Sequence, residues 1–218
     1  MTVDLSIGEV EGLVLKACRG SGMDWGLAEE AGRAAGWLAA HGLPGLEAFS
    51  LFLEGFEPQT HKKRAPCVNE NRWSAKNSTL CPVFTGAALS DVSGILEKGR
   101  VIGLNNVSFP LILVAFAGLS AGRQGKTFIV EWPGVRVVCD AGPATVEGAL
   151  QALLAREASR MRMEIGDEHV ANPLQTKRRG CCSDEAFAAL SKQAFKTYVP
   201  ATAQSRAKGA GAGLSDND

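Results

Sequence analysis

Apolar positions recur at helical spacing in the first quarter of the chain and at alternating spacing beyond its middle, so the pattern by itself divides the sequence. From Ser6 to Ala17, residues Ile7, Val10, Leu13, Val14 and Ala17 return at three- and four-residue steps, and Ser6 with Glu9 has the spacing of a capping box. This predicts an amphipathic helix ended by Arg19-Gly20-Ser21-Gly22. Asp24 then stands as a cap for a second helix from Trp25 to about Ala40, stopped by His41-Gly42-Leu43-Pro44, and a short third helix is expected from Leu46 to Glu54.

Residues 56–80 follow neither period and gather Pro58, His61, Lys62, Lys63, Arg64, Pro66, Asn69, Asn71 and Asn77. They read as a long loop. Such a loop inside a compact domain is the first place to look for a site or a partner contact. Beyond it the pattern turns to strands: Val101–Leu104, Leu111–Phe116, Phe128–Trp132 and Val135–Cys139. The apolar run from Val107 to Ala121 contains Ser108, Pro110 and Ser120; it is too short for a membrane span of about 20 residues and reads as a buried strand. Pro133-Gly134 predicts a tight hairpin between the last two strands, and with it an antiparallel sheet. Thr145 with Gly148–Arg156 reads as a helix, and Arg160–Ile165 alternates as a half-buried strand does. After a polar, basic link over 172–180, a last helix is expected from Ser183, with Asp184 and Glu185 in its first turn, to about Tyr198. A Gly-Ala-rich tail follows.

These elements predict an α+β fold: an N-terminal helical hairpin packed on a mainly antiparallel sheet, with a C-terminal helix and an ordered or partly ordered tail. The expected layout is a single domain over 1–218, with a helical part at 1–54, the loop at 55–80, mainly sheet at 81–165, and the last helix and tail at 166–218. A chain of 218 residues is long enough to bury a core without disulfide staples.

Lys+Arg and Asp+Glu each number 23, so the net charge is zero and nothing in the overall charge calls for nucleic acid or an anionic membrane as partner. The first two helices have the outline of a helix-turn-helix, but the second carries Glu29 and Glu30 early, which would face phosphate, so nucleic acid is not expected. Those carboxylates read instead as structural charge near a helix N-terminus. Met1–Leu5 lacks the positive start and apolar stretch of a secretory leader, which points to a cytoplasmic protein whose six cysteines stay reduced.

Several residues carry candidate chemistry. Gly118–Thr127 has the outline of a phosphate loop ending in Gly125-Lys126-Thr127, the candidate cofactor-binding residues. The spacing fails, because the glycine wanted five positions before Gly125 is Ser120 and the following run is β-type, so a hairpin loop is the plainer reading. Cys181 and Cys182 precede a helix and follow Lys177, Arg178 and Arg179, an environment that lowers a thiol pKa; with Cys81 and His61 they are the catalytic candidates. No C-x-x-C pair supports zinc, and the metal candidates are Asp216 and Asp218 at the end of the tail.

Lys16-Ala17-Cys18-Arg19-Gly20, Trp25-Gly26-Leu27-Ala28-Glu29-Glu30-Ala31-Gly32 and the closing stretch from Gly209 to Asp218 resemble the proteobacterial family known as domain of unknown function 3726, over nearly the whole length. The resemblance implies a bacterial, cytosolic, single-domain protein whose two ends are part of the design, and it transfers no catalytic residue. Two classes of function stay open. One is a small-molecule-binding protein or enzyme of bacterial metabolism, with its site among residues 56–80, Cys81, the turn after Cys139-Asp140 and the tail. The other is a non-catalytic accessory protein that uses the same loop and tail to hold a partner. The small-molecule class is preferred, with a homo-oligomer left open.

Overall fold

The structure is a computed structural model, and it describes residues 2–76, 78–168, 170 and 172–198. Strand β1 (Thr2–Ser6) runs into helix α1 (Ile7–Gly20). Ser6 caps that helix as expected: the Glu9 N–H donates to Ser6 Oγ at 3.3 Å and the Ser6 N–H donates to Glu9 Oε2 at 2.7 Å. Helices α2 (Trp25–Ala40) and α3 (Gly45–Glu54) follow at the predicted places. Asp24 is the N-cap residue of α2 without a side-chain cap bond, and its carboxylate pairs with Lys62 at 3.5 Å instead.

Residues 56–80 are not a featureless loop. They carry a short helix α4 (Pro58–Lys62) and strands β2 (Cys67–Val68) and β3 (Arg72–Ser74), elements too brief to show a period. Helix α5 (Pro82–Val92), with proline in its first turn, was not foreseen. Strand β4 (Val101–Ser108) is longer than predicted, and Leu111–Phe116 belongs to helix α6 (Pro110–Gln124), not to a strand. The reason is burial: α6 is surrounded, with Leu111, Ile112, Leu113, Val114 and Ala115 all inaccessible, so its sequence has no polar face to betray helical spacing.

Strands β5 (Thr127–Trp132) and β6 (Val135–Cys139) form the predicted hairpin, with Gly134 at φ 82° in its turn. Strand β7 (Ala144–Gly148) and a four-residue helix α7 (Leu150–Leu153) replace the helix expected over that stretch. Strand β8 (Glu157–Gly166) confirms the alternating segment, and strand β9 (Arg179–Ser183) leads into helix α8 (Asp184–Phe195), whose Ser183 Oγ accepts from the Ala186 N–H at 3.1 Å.

Seven strands make one sheet in the order β2-β3-β4-β8-β5-β6-β7, antiparallel throughout except for β3 beside β4. Strands β1 and β9 make a separate antiparallel pair. The fold is therefore α+β as expected, with a mainly antiparallel sheet. The N-terminal hairpin reaches that sheet through α6, which packs on β5, β6 and β8 on one side and receives α2, α3 and α5 on the other. Close approach needs glycine: a Cβ on Gly86 would sit 2.2 Å from the Phe116 ring, and one on Gly118 would sit 2.2 Å from Trp37. Among the described residues no helix is long and apolar enough to cross a membrane.

Candidate functional site in a groove on the open sheet face

Helices cover one face of the sheet, and the other face carries polar residues in register. Reading across the strands, Arg72 of β3 stands beside Gly103 of β4, then come Arg162 of β8, Glu131 of β5, Arg136 of β6 and Glu147 of β7. On one side of this row the charges satisfy one another. Arg162 donates to Glu131 Oε2 at 3.1 Å, Arg136 Nε donates to Glu131 Oε1 at 3.0 Å, and Arg136 also reaches both Glu168 oxygens at 2.7 Å. Opposite-sign neighbours of this kind stabilise a sheet by a few tenths to about 1 kcal/mol each.

On the other side the arrangement is different. Arg72 and Arg160 have no ion-pair partner among the described residues. Between Arg72 and Arg162 lies Gly103, whose missing side chain leaves open space except for the Asn71 carbonyl 3.7 Å from where a Cβ would stand. Asn71 is itself held, since its backbone oxygen accepts from the Gly103 N–H at 2.9 Å and its Oδ1 accepts from Arg100 at 2.9 Å.

The alternation of the two central strands also slips here. On β4 the consecutive residues Asn105 and Asn106 are both exposed, and on β8 so are Ser159 and Arg160, where strict alternation would bury one of each pair. Asn106 takes φ 50°, a left-handed conformation that asparagine tolerates better than most residues. The slip works as a bulge does, aiming extra polar side chains out of the sheet, and such devices gather near functional sites. The result is a groove of about 980 Å³ whose lining includes Asn71, Arg72, Gly103, Asn105, Arg160 and Arg162. Guanidinium forks match carboxylate and phosphate groups, and amides supply paired donors and acceptors for hydroxyl-rich or carbonyl-bearing ligands.

Residues 5–94 match the sequence model of a family described as "Protein of unknown function (DUF3726)". Over that stretch, less than half of the chain, the sequence is similar to this family. The matched segment runs from β1 to just past α5 and so contributes Asn71 and Arg72 to the groove, while Gly103, Asn105, Arg160 and Arg162 lie beyond it. The match is shorter than the near full-length resemblance expected from the sequence, and residues 209–218 lie outside both the match and the described residues. Among curated proteins none matches the sequence significantly. Among solved structures, the crystal structure of malate dehydrogenase from Entamoeba histolytica is similar with 9% identity and a TM-score of 0.42, over 68% of this chain and 50% of that one. The match thus spans half the length of that protein's chain.

The 56–80 stretch singled out in the sequence contributes Asn71 and Arg72 to this groove, but none of the catalytic, cofactor-binding or metal candidates named there lines it. His61 and Cys81 both come near Arg64, but in the interior. The His61 ring packs 4.4 Å from Phe56 and 5.4 Å from Phe52, its Nδ1 has no hydrogen-bond partner among the described residues, and burial pushes its pKa down, with Arg64 adding to the shift. Cys81 is the N-cap residue of α5, where the Val83 and Phe84 amides favour the thiolate; burial outweighs them and pushes the thiol up to about 11. Gly125 ends α6 in a left-handed cap, so Gly118–Gln124 is helix rather than hairpin loop. Lys126 is fully engaged there: its Nζ donates to the carbonyls of Ser93, Gly94 and Leu96 at 3.2, 2.8 and 2.6 Å, closing the end of α5 rather than facing a phosphate. Thr127 donates to Asp140 at 3.2 Å. Asp216 and Asp218 lie outside the described residues, and among the described ones no three His, Cys, Asp or Glu side chains converge as a metal would need.

Cys181 and Cys182 lie within β9, ahead of the helix, and strand alternation parts them. Cys181 is exposed and Cys182 is buried. Burial, with Glu47 next in weight, pushes the Cys182 thiol up to about 11, the opposite of the lowering expected from helix and cations. With an aromatic disulfide reagent at neutral pH, the exposed Cys67 and Cys181 should label promptly and the other four thiols only after denaturant is added. Equal labelling rates for Cys181 and Cys182 would contradict this arrangement.

Proposed function

We propose that this protein binds a small molecule bearing carboxylate or phosphate groups, seated across Gly103 on the open face of the sheet. The observation that carries the reading is the pair of uncompensated arginines, Arg72 and Arg160, set with Arg162 around a strand position that has no side chain. Arg162 is already neutralised by Glu131 and Glu164, so it orients rather than supplies charge. Arg72 and Arg160 supply the positive charge, and Asn105 and Asn106 supply polar contacts beside them. The preference for a small molecule over nucleic acid rests on the zero net charge and on a lining whose one aromatic residue, Trp132, is buried with its indole N–H donated to the Ala152 carbonyl rather than presented for stacking. A cytoplasmic setting, where thiols stay reduced, fits six free cysteines.

Isothermal titration with citrate and with inorganic pyrophosphate tests the reading. Charge-assisted hydrogen bonds contribute about 1.5–3 kcal/mol each, so Arg160→Gln and Arg72→Gln should each weaken binding by roughly ten-fold or more. Binding should also fall as salt rises through the physiological range. If the double variant binds either anion as tightly as the unaltered protein, the groove is not the site. If the unaltered protein binds neither anion, the accessory reading takes over, with residues 56–80 as the first surface to test for a protein partner.

A further inference from the structure

On the helical side of the molecule, away from the sheet groove, α2, α5 and α6 enclose a cleft of about 120 Å³ lined by Glu30, Arg33, Ser90, Phe116, Leu119 and Arg123. That is the liquid volume of about four waters. Glu30 and Arg123 both border the space, yet they form no salt bridge within 4 Å among the described residues. Arg33 leans the other way, toward Glu29 at 3.9 Å. The Glu30 Oε2 atom is buried and has no hydrogen-bond partner among the described residues.

A buried carboxylate oxygen without a partner is costly, by about 1–3 kcal/mol or more for a charged group, and is rare in native structures. Glu30 is not a first-turn residue satisfied by helix N–H groups, because it is the sixth residue of α2 and the first turn of that helix holds no acid. Burial raises its carboxyl pKa, Asp91 raises it further, and Arg123 and Arg33 only partly offset the two. A carboxyl group and a guanidinium thus border one small space without a salt bridge between them among the described residues, between the apolar walls of Phe116 and Leu119.

We propose that this cleft binds a small zwitterion, an amino acid with a short side chain, with its ammonium on Glu30, its carboxylate on Arg123, and its carbon atoms against Phe116 and Leu119. A ligand carrying both charges satisfies both ends at once. A ligand carrying one charge leaves the opposite group unpaired, and the volume excludes long side chains.

The test is titration of the full chain with L-alanine, followed by amide chemical-shift changes, beside propionate and ethylammonium as analogues with one charge each. Saturable shifts on α2, α5 and α6 are expected with L-alanine. Either analogue should bind at least ten-fold more weakly, and both Glu30→Gln and Arg123→Gln should abolish saturation. Arg123 is exposed, so its variant keeps the fold and decides the matter even if Glu30→Gln does not fold. Absence of saturable binding by L-alanine, equal binding of propionate, or unchanged binding in Arg123→Gln each overturns the proposal, leaving the cleft as a water site. Arg160→Gln should leave L-alanine binding intact, so failure of the anion site and failure of this one are separable.

Discussion

Phe116→Ala should destabilise the protein by about 3–5 kcal/mol, the loss typical of removing a fully buried phenylalanine. The side chain is 1% exposed and sits on α6, where its ring fills the space that Gly86 of α5 leaves open. No neighbour can collapse into the gap easily, because Gly86 has no side chain to swing inward and α6 is held on its other side by the sheet. The residue also walls the Glu30 cleft, so the variant should lose L-alanine binding even where it stays folded. Urea unfolding measures the effect: the midpoint should fall with the slope unchanged. A loss below about 1 kcal/mol would mean that α5 and α6 are not packed as described.

Gly20→Ala is expected to be nearly as harmful, for a different reason. A Cβ at position 20 would lie 1.8 Å from the carbonyl oxygen of Gln193, a backbone atom of α8 that no rotamer change can move. Helix α8 would have to shift bodily against α1, and overpacking of this kind costs about 1–3 kcal/mol, occasionally more. The gain in helix propensity from glycine to alanine, about 1 kcal/mol, cannot offset it. Gly12→Ala on the same helix is the control, since nothing lies within 4 Å of its Cβ position, and it should be neutral or stabilising. If both variants unfold at the same denaturant concentration, the close contact of α1 with α8 is refuted.

Much of the architecture was legible where local chemistry decides it. The Ser6–Glu9 capping box, the Pro133-Gly134 turn and the Ser183 cap each satisfy backbone groups within a few residues, and each element they bound is present. What was misread is what depends on distant surroundings. Helix α6 looked like a strand because a helix buried all round has no polar stripe, and α5 escaped notice for a related reason, with Pro82, Val83, Thr85, Gly86 and Leu89 all buried.

The site shows the same division. Alternation over Arg160–Ile165 already turned Arg160 and Arg162 to one side, but the neighbours that make them a groove, Gly103 and Arg72, are set by pairing between strands, which no local motif records. Cys182 shows the converse: adjacent cations and a helix suggested a reactive thiol, and burial beside Glu47 overrode both. In Lys126 a motif-like residue proved to be a cap, its three hydrogen bonds all going to main-chain carbonyls.

The pairing of β1 with β9 joins Thr2–Ser6 to Arg179–Ser183, residues about 175 apart in the chain. During synthesis at about 5–20 residues per second, β1 therefore emerges roughly 9–35 s before its partner exists. Through that interval an extended segment with Val3 and Leu5 waits unpaired, exposed to chaperones or to wrong partners. Helices α1 and α2 can associate early from local contacts, but the clasp that fastens them to α8 closes among the last events of folding.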